Sequence, residues 1–353
     1  MKIQWLIPLS LAAVACSSAE NGSAGTTSSN GSGGSGGSPT GAGGSGASGG
    51  QPGWEQLGLD GDRVPYLAVA KQTPSTIFAG TSQGSTDQGF FRSTDGGQTW
   101  PQAPELDVVW PTGLEVAPDQ DITLADVGVD GLCRSTNGGS NWSPTSFVGN
   151  SYGIEFDPNS STVWLSDGAE VWRSPDGGVS WSKTPNTGLP TGQRSVEFPT
   201  FDGTTLYVAV GNQGVYASSD NGDSFTPANT GLPFAQSFGG VIALEADVTR
   251  PGFALAQTNG QGLYRTDDSG ATWTKVDMGA ETTKYGALLI DPTNPTTFYV
   301  SRDSTGMLKS TDDGASWMSI GPDTEDVIAV DLDPTTGALY IGTLGTGVWR
   351  LGN

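Results

Sequence analysis

The segment FRSTDGGQTW, residues 91–100, places an arginine, three hydroxyl side chains, a carboxylate and a tryptophan within ten residues. A carboxylate is the group that glycoside hydrolysis requires, and a tryptophan offers a large apolar face for a ligand or for a core. The segment therefore raises two hypotheses: Asp95 belongs to an active site, or it belongs to a structural turn.

The composition narrows the chemistry. The chain has 353 residues, no histidine, and 37 acidic against 15 basic residues, which gives a net charge of −22. Without histidine, Ser-His-Asp and Cys-His catalysis and any metal site that needs imidazole are excluded. Nucleic acid and anionic lipid surfaces are not expected as partners, because both repel a polyanionic protein.

The opening segment recurs along the chain as CRSTNGGSNW, WRSPDGGVSW, YASSDNGDSF, YRTDDSGATW and LKSTDDGASW. Positions equivalent to Asp95 follow one another at 42, 39, 44, 48 and 44 residues. A period of roughly 40–50 residues with four short strands per repeat is typical of a β-propeller blade. The sequence therefore predicts an all-β protein with a single propeller.

The blade count depends on the two ends of the repeat region. After the sixth segment, residues 326–351 supply three more strands and no fourth. Residues 53–59, GWEQLGL, resemble the stretch ATWTKVDMG that follows the fifth turn, so they are predicted to complete the last blade and to remove an exposed sheet edge. Seven blades over residues 54–353 are predicted, with six as the alternative.

The pattern S-x-D-G-G-x-T-W resembles the Asp-box, or bacterial neuraminidase repeat, of the sialidase-like and sortilin-like propeller superfamily. The similarity covers about 300 residues. Relatives in that superfamily include sialidases, xyloglucanase-type glycosidases, sortilin-type receptors and the photosystem II assembly factor family. The resemblance implies the propeller fold, and it implies that the motif lies on the face opposite the usual ligand-binding face.

A structural role explains each residue type of the motif. Asp or Asn can accept hydrogen bonds from its own turn, Gly permits positive φ, and Trp can pack on the next blade. We call these six turns the aspartate turns; their key residues are Asp95, Asn137, Asp176, Asp220, Asp268 and Asp312, followed by Trp100, Trp142, Trp181, Trp273 and Trp317. The arginines in register with them are expected to be structural as well: Arg92, Arg134, Arg173, Arg265 and Arg350.

The resemblance implies that ligands bind at loops that precede the first strand of a blade or join its second and third strands. Aromatic side chains are expected there, either to hold a sugar or a partner protein or to pack between blades: Tyr66, Trp110, Tyr152, Phe238 and Tyr285. Three arginines are expected on the same face: Arg63, Arg194 and Arg302. The Phe-Arg-Ile-Pro element of sialidases is missing, so sialidase activity is not expected.

Five first strands carry an acidic residue at an equivalent place: Glu115, Glu155, Glu197, Glu245 and Asp331. If these side chains point toward the axis, they form a ring of carboxylates. Crowded carboxylates raise each other's pKa or bind a hard cation such as Ca²⁺, the one cofactor considered for this chain. Hydrogen bonding to adjacent blades is the alternative.

The N-terminal segment predicts export. Residues 1–16 contain Lys2 and then an apolar run too short to span a bilayer, as in a signal peptide. Ala13-Val14-Ala15-Cys16 resembles a lipobox, which implies lipidation at Cys16; an ordinary signal peptide cut after Ala15 is the alternative. Residues 17–53 are almost all Gly, Ser, Ala, Thr and Asn, which predicts a disordered tether.

Together these features predict a lipid-anchored binding module of the bacterial cell envelope. The lipobox resemblance implies the outer membrane, because Ser17 is not the Asp that it associates with retention at the inner membrane. Its partner would be a protein or a polysaccharide, and the chain would have a scaffold or assembly role. The chain is expected to be monomeric and to contact the membrane through its lipid anchor. The alternative is a glycoside hydrolase that uses two carboxylates about 5–10 Å apart. Xyloglucanase-type enzymes use two tandem propellers and this chain has one, so the sequence assigns no catalytic pair.

Overall fold

The computed structural model describes residues 53–352, except for residues 74, 83–87, 104–105, 107–110, 119–120, 192–194, 234–239, 280–285, 304 and 324. Seven antiparallel sheets make up this part of the chain. The all-β, seven-bladed prediction is therefore confirmed. Within the described ranges, no helix has the length and apolar character needed to cross a membrane.

The first described strand is β1 (Trp54–Gly58). Blade one contains β2 (Tyr66–Val69), β3 (Ile77–Thr81) and β4 (Gly89–Ser93). Blade two contains β5 (Gly113–Val116), β6 (Thr123–Asp126), β7 (Leu132–Ser135) and β8 (Ser143–Pro144), and blade three contains β9 (Ile154–Phe156), β10 (Val163–Ser166), β11 (Val171–Ser174) and β12 (Ser182–Lys183). Blade four contains β13 (Val196–Phe201), β14 (Leu206–Val210), β15 (Gly214–Ser218) and β16 (Thr226–Pro227).

Blade five contains β17 (Val241–Ala246), β18 (Ala254–Thr258), β19 (Gly262–Thr266) and β20 (Thr274–Val276). Blade six contains β21 (Leu288–Ile290), β22 (Phe298–Ser301), β23 (Met307–Ser310) and β24 (Met318–Gly321). Blade seven contains β25 (Val327–Leu332), β26 (Leu339–Thr343) and β27 (Val348–Leu351). Short 3₁₀ helices follow β6 and β14, at Gly128–Asp130 and Gly211–Gln213.

The ring closes through the two ends of the described chain. Blade seven has the strand order β1–β27–β26–β25, and Trp54 pairs with Leu351. The indole Nε1 of Trp54 also donates to the Ile320 carbonyl at 2.5 Å, which links β1 to blade six. The prediction that the N-terminal strand completes the last blade is confirmed.

Blade one differs from the predicted four-strand pattern. Its sheet has three strands, and the place of the fourth is taken by an isolated bridge between Phe91 and Gln102. Pro101 accepts a bond from the Arg92 N–H but has no N–H of its own to extend the ladder.

Hydrophobic packing occurs mainly between neighbouring blades. Phe78 of blade one meets Trp142 of blade two edge to face, with 6.3 Å between ring centroids. Trp273 of blade five packs with Tyr207 of blade four in another buried cluster. Each blade thus covers the apolar face of the next, and the first strands contact one another around the axis.

Candidate functional site

The aspartate turns share one hydrogen-bond pattern. In the first turn, the Ser93 hydroxyl donates to Asp95 Oδ1 at 2.7 Å, and the Thr99 N–H donates to the same oxygen at 3.0 Å. The Thr99 hydroxyl donates to Oδ2 at 2.6 Å. The hydrogen bonds from Thr99 and Ser93 lower the pKa of Asp95 to about 2, so the carboxyl is ionised at neutral pH and has no proton to give.

The second turn keeps part of this pattern with an amide. Asn137 Oδ1 accepts from the Ser135 hydroxyl at 2.9 Å and from the Asn141 N–H at 2.9 Å. Asn141 stands where the other five turns have Thr or Ser, so the side-chain hydroxyl bond of those turns has no equivalent. An acceptor oxygen is what all six turns have in common.

Glycine and arginine connect the turns to neighbouring blades. Gly97 has φ of +93°, and a Cβ there would lie 2.4 Å from the Leu57 side chain. Arg92 Nε donates to the Gly138 carbonyl of the next blade's turn at 2.6 Å, and Arg134 Nε donates to the Gly177 carbonyl at 2.6 Å. Arg173 and Arg265 also donate to carbonyls of the following turn, whereas Arg350 Nη2 reaches Glu55 Oε2.

The candidate site lies at the other end of the strands. A cavity of about 420 Å³ opens where the first strands of blades one to four begin; its walls are Pro65, Tyr66, Thr112, Gly113, Leu114, Glu115, Ser151, Tyr152, Gly153, Ile154, Glu197 and Phe198. Because each first strand runs away from this face, the turn between the third and fourth strands lies on the opposite face. We call this space the first-strand cavity. A second cavity, of about 190 Å³, shares Pro65, Tyr66 and Leu114 with it and continues toward blades six and seven.

Two of the predicted aromatics line the first-strand cavity. Tyr152 is 47% exposed, whereas Tyr66 is half-buried at the start of β2. Burial, with a smaller contribution from the charge of Asp126, raises the pKa of Tyr66 to about 12. The Tyr66 phenol is therefore a neutral hydrogen-bonding group beside the cavity.

Asp126, at the end of β6, was not expected from the sequence. It is fully buried behind the cavity wall. Its Oδ1 accepts from the Thr112 hydroxyl at 2.6 Å and from the Gly128 N–H at 2.7 Å, and its Oδ2 accepts from the Ser151 N–H. Burial raises the pKa of Asp126 to about 6 despite these bonds.

The first-strand carboxylates influence one another across the axis. Burial raises the pKa of Glu115 to about 8, and the charge of Asp331 adds to this effect. Burial, the Glu115 charge and then the Asp331 charge raise the pKa of Glu245 to about 8. The pKa of Glu155 lies well above its usual value, first through burial and then through Glu245 and Glu115.

The alternative role for these carboxylates is hydrogen bonding to the adjacent blade. Two of the five carboxylates make such bonds. Glu155 Oε1 accepts from the Phe201 N–H of blade four at 3.2 Å, and Asp331 Oδ2 accepts from the Val69 N–H of blade one at 2.7 Å. Glu197 instead lines the first-strand cavity and accepts a bond from the Ser195 hydroxyl. In the part of the chain with described coordinates, no three acidic or cysteine side chains gather as a metal site, and the Ca²⁺ site stays a prediction.

Two predicted arginines, Arg63 and Arg302, are not among the described residues that line this cavity. Arg63 precedes β2, and its charge lowers the pKa of Tyr66 against the stronger effect of burial. Arg302 follows β22 in blade six, where its Nε donates to the Thr305 hydroxyl. Several predicted residues lie outside the described residues: Cys16, Trp110, Arg194, Phe238 and Tyr285.

Two curated relatives are similar to this chain in sequence. A xyloglucanase of Paenibacillus sp. is 29% identical over 229 residues, which cover 61% of this chain and 22% of that protein. A xyloglucanase of Hypocrea jecorina (strain QM6a) is 27% identical over 186 residues, which cover 52% of this chain and 22% of that protein. The matched region thus spans about a fifth of the length of these relatives. No protein-family model matches the chain.

Solved structures share the fold at lower identity. The GH74 enzyme of Niastella koreensis superposes with a TM-score of 0.64 at 17% identity, over 84% of this chain and 53% of that one. The GH74 xyloglucanase of Xanthomonas campestris gives 0.64 at 19% identity, over 84% and 53%. YCF48 from Cyanidioschyzon merolae gives 0.63 at 14% identity, over 85% and 98%.

The relatives correct one expectation from the sequence. The prediction of a binding module for a protein or glycan is wrong, because both curated relatives are named for an enzyme activity, xyloglucanase. The alternative, a glycoside hydrolase, agrees better with these similarities.

Proposed function

We propose that this chain is a glycoside hydrolase that acts on a polysaccharide of the xyloglucan class. The observation that carries the proposal is its similarity to the two xyloglucanases, which covers 61% and 52% of this chain. The first-strand cavity supports it, because a volume of about 420 Å³ lies within the range of ligand sites, roughly 300–1,000 Å³.

Glu115 and Glu197 are the carboxylates that we propose for the reaction, since both line this cavity. The pKa of Glu115, about 8, keeps the carboxyl protonated at neutral pH, so it can donate a proton to the leaving glycosidic oxygen. Glu197 is then the second carboxylate, and it acts on the sugar or on the attacking water. The Ser195 hydroxyl that donates to Glu197 orients its carboxylate.

A matched set of variants tests these roles. Glu115→Gln and Glu197→Gln are expected to lower kcat on xyloglucan by at least roughly 100-fold, because each removes a proton-transfer or charge-stabilising group. Glu245→Gln is the control: it removes another carboxyl whose burial raises its pKa to about 8, but one that does not line the cavity. Activity in Glu115→Gln equal to that in Glu245→Gln would refute the assignment of Glu115.

We also propose that the six turns are Asp-box repeats and that the N-terminal segment directs export and lipidation. The hydrogen bonds shared by the six aspartate turns support their classification as Asp-box repeats. Export and lipidation at Cys16 are supported by the apolar N-terminal run and its small residues. Radiolabelled palmitate should be incorporated into the parent chain but not into Cys16→Ala. Equal labelling of the two proteins would contradict lipidation at Cys16.

A further inference from the structure

Tyr152 is an exposed aromatic residue whose backbone is fixed on both sides. Its N–H donates to the Ser166 carbonyl at 2.8 Å, and its own carbonyl accepts from the Phe198 N–H of blade four at 3.1 Å. The ring lies against Gly168, where a Cβ atom would come within 3.0 Å of Cε2. One aromatic surface is thus supported from behind, while 47% of the residue remains exposed.

Asp126 fixes the residue before Tyr152. Its Oδ2 accepts from the Ser151 N–H of blade three, and its Oδ1 accepts from the Thr112 hydroxyl of blade two. The two loops that precede β5 and β9, and that form one wall of the first-strand cavity, are therefore tied to a single buried carboxylate.

The position of Asp126 is unusual when the blades are compared. The last residue of the second strand is a threonine in blades one, five and seven, and its hydroxyl donates to a carbonyl of its own blade: Thr81 to Gly89, Thr258 to Gly262, and Thr343 to Gly347. Asp126 accepts the Gly128 N–H of its own blade and also reaches across to blade three. The carboxylate thus accepts hydrogen bonds from two blades beside the cavity.

The charges around the cavity limit what it can bind. Among the described residues that line it, two are carboxylic acids and none is lysine or arginine. An anionic sugar would meet the carboxylate of Glu197, and the described wall offers it no cation. A neutral sugar has hydroxyls for these oxygens and an apolar ring face for an aromatic side chain.

We propose that Tyr152 is the surface on which a neutral pyranose ring stacks in the first-strand cavity, and that Asp126 is the positioning residue that holds Tyr152 there. This inference rests on the proposed function and names how the polysaccharide is recognised. Holding the aromatic ring in place before binding reduces the entropy that the complex loses.

Affinity electrophoresis of the full chain in gels that contain xyloglucan tests the stacking surface. Tyr152→Ala is expected to raise the apparent Kd about tenfold, whereas Tyr152→Phe stays within about twofold of the parent. Val148→Ala, at a side chain that is 77% exposed and close in sequence, is the surface control and should match the parent. Xyloglucan whose primary hydroxyls have been oxidised to carboxylates should retard the parent less than the neutral polymer does.

Asp126→Asn tests the positioning role. It keeps one acceptor oxygen but cannot accept the Ser151 N–H through Nδ2, so KM for xyloglucan should rise severalfold while kcat stays within about twofold. Thermal midpoints of all variants are compared to confirm folding. Equal binding by Tyr152→Ala and the parent, no retardation of the parent, or stronger retardation by the oxidised polymer would each overturn the inference about Tyr152; an unchanged KM in Asp126→Asn would overturn the positioning role.

The outcomes for the two proposals are separable. Hydrolysis of xyloglucan with unchanged binding by Tyr152→Ala would leave the proposed function and remove the stacking surface. Tyr152-dependent binding of xyloglucan without its hydrolysis would leave the stacking surface and remove the proposed function.

Discussion

Lys71 of blade one donates to Asp331 of blade seven, with 2.6 Å between Nζ and Oδ1. The two residues join the first and last blades at the point where the ring closes. The positive charge of Lys71 lowers the pKa of Glu115 and Glu245, but burial and neighbouring carboxylates act in the opposite direction and more strongly. Glu115 and Glu245 therefore hold their protons at neutral pH.

Stability should consequently fall as the pH rises above about 5. Glu115 and Glu245 have pKa values of about 8 in the folded chain, against an ordinary value of 4.5, so between these values the folded state binds more protons than the unfolded state. The free energy of unfolding then decreases with pH across this window. We expect the Tm from calorimetry to drop by about 5 °C or more between pH 5 and pH 8.5.

Glu245→Gln provides the control for this effect. It removes one of the groups that must stay protonated, so the decline of Tm toward alkaline pH should become shallower. The aspartate turns affect stability at acid pH. Asp176 and Asp220 have pKa values of about 2 in the folded chain, against an ordinary value of 3.8, so the stability that they contribute is lost as the pH falls below 3.8. A Tm that is constant from pH 5 to 8.5 in the parent would contradict the protonated state of Glu115 and Glu245.

The aspartate turns should affect stability more than activity. Asp220→Ala removes the acceptor for the Ser218 hydroxyl, the Ser224 N–H and the Ser224 hydroxyl, so Tm at pH 7 should fall by several degrees. Asp220→Asn keeps one acceptor oxygen, as Asn137 does naturally, and should lose less. Hydrolysis of xyloglucan at 25 °C is the second readout, and a loss of kcat without a change in Tm would show that these turns do more than hold the fold.

Closure of the ring by β1 should make a large contribution to stability. Trp54 is 9% exposed and packs with Tyr299, Leu339 and Trp349, so Trp54→Ala should lower the free energy of unfolding by about 3–5 kcal/mol in urea titrations. Glu55→Gln, in the same strand, removes an ion pair whose glutamate side chain is 61% exposed and should change it by less than about 1 kcal/mol. Equal effects of the two substitutions would mean that β1 contributes through its edge pairing alone.

The fold was predictable because its information is local and repeated. Each aspartate turn is specified by about ten consecutive residues, and the missing fourth strand after residue 351 indicated where β1 belongs. The exception is blade one, where Pro101 interrupts the outer ladder; the sequence contained this signal, but the repeat pattern outweighed it.

The candidate site was only partly predictable, because it is assembled from four blades. Tyr66, Tyr152, Glu115 and Glu197 were expected on strand ends and loops, and they line one cavity. Asp126 was missed because its role depends on the Ser151 N–H of another blade, which no local pattern reveals. A comparison of the last residue of each second strand would have found Asp126. The other blades have a hydroxyl or an apolar side chain at that position, and blade two has a carboxylate.

The release of reducing ends from xyloglucan by the purified chain, measured between about pH 4 and pH 9, tests the central claim most directly. Our account predicts release that depends on Glu115 and Glu197 and that weakens at alkaline pH, as Glu115 loses its proton near pH 8. A folded chain that releases no reducing ends from xyloglucan anywhere in this range would contradict it.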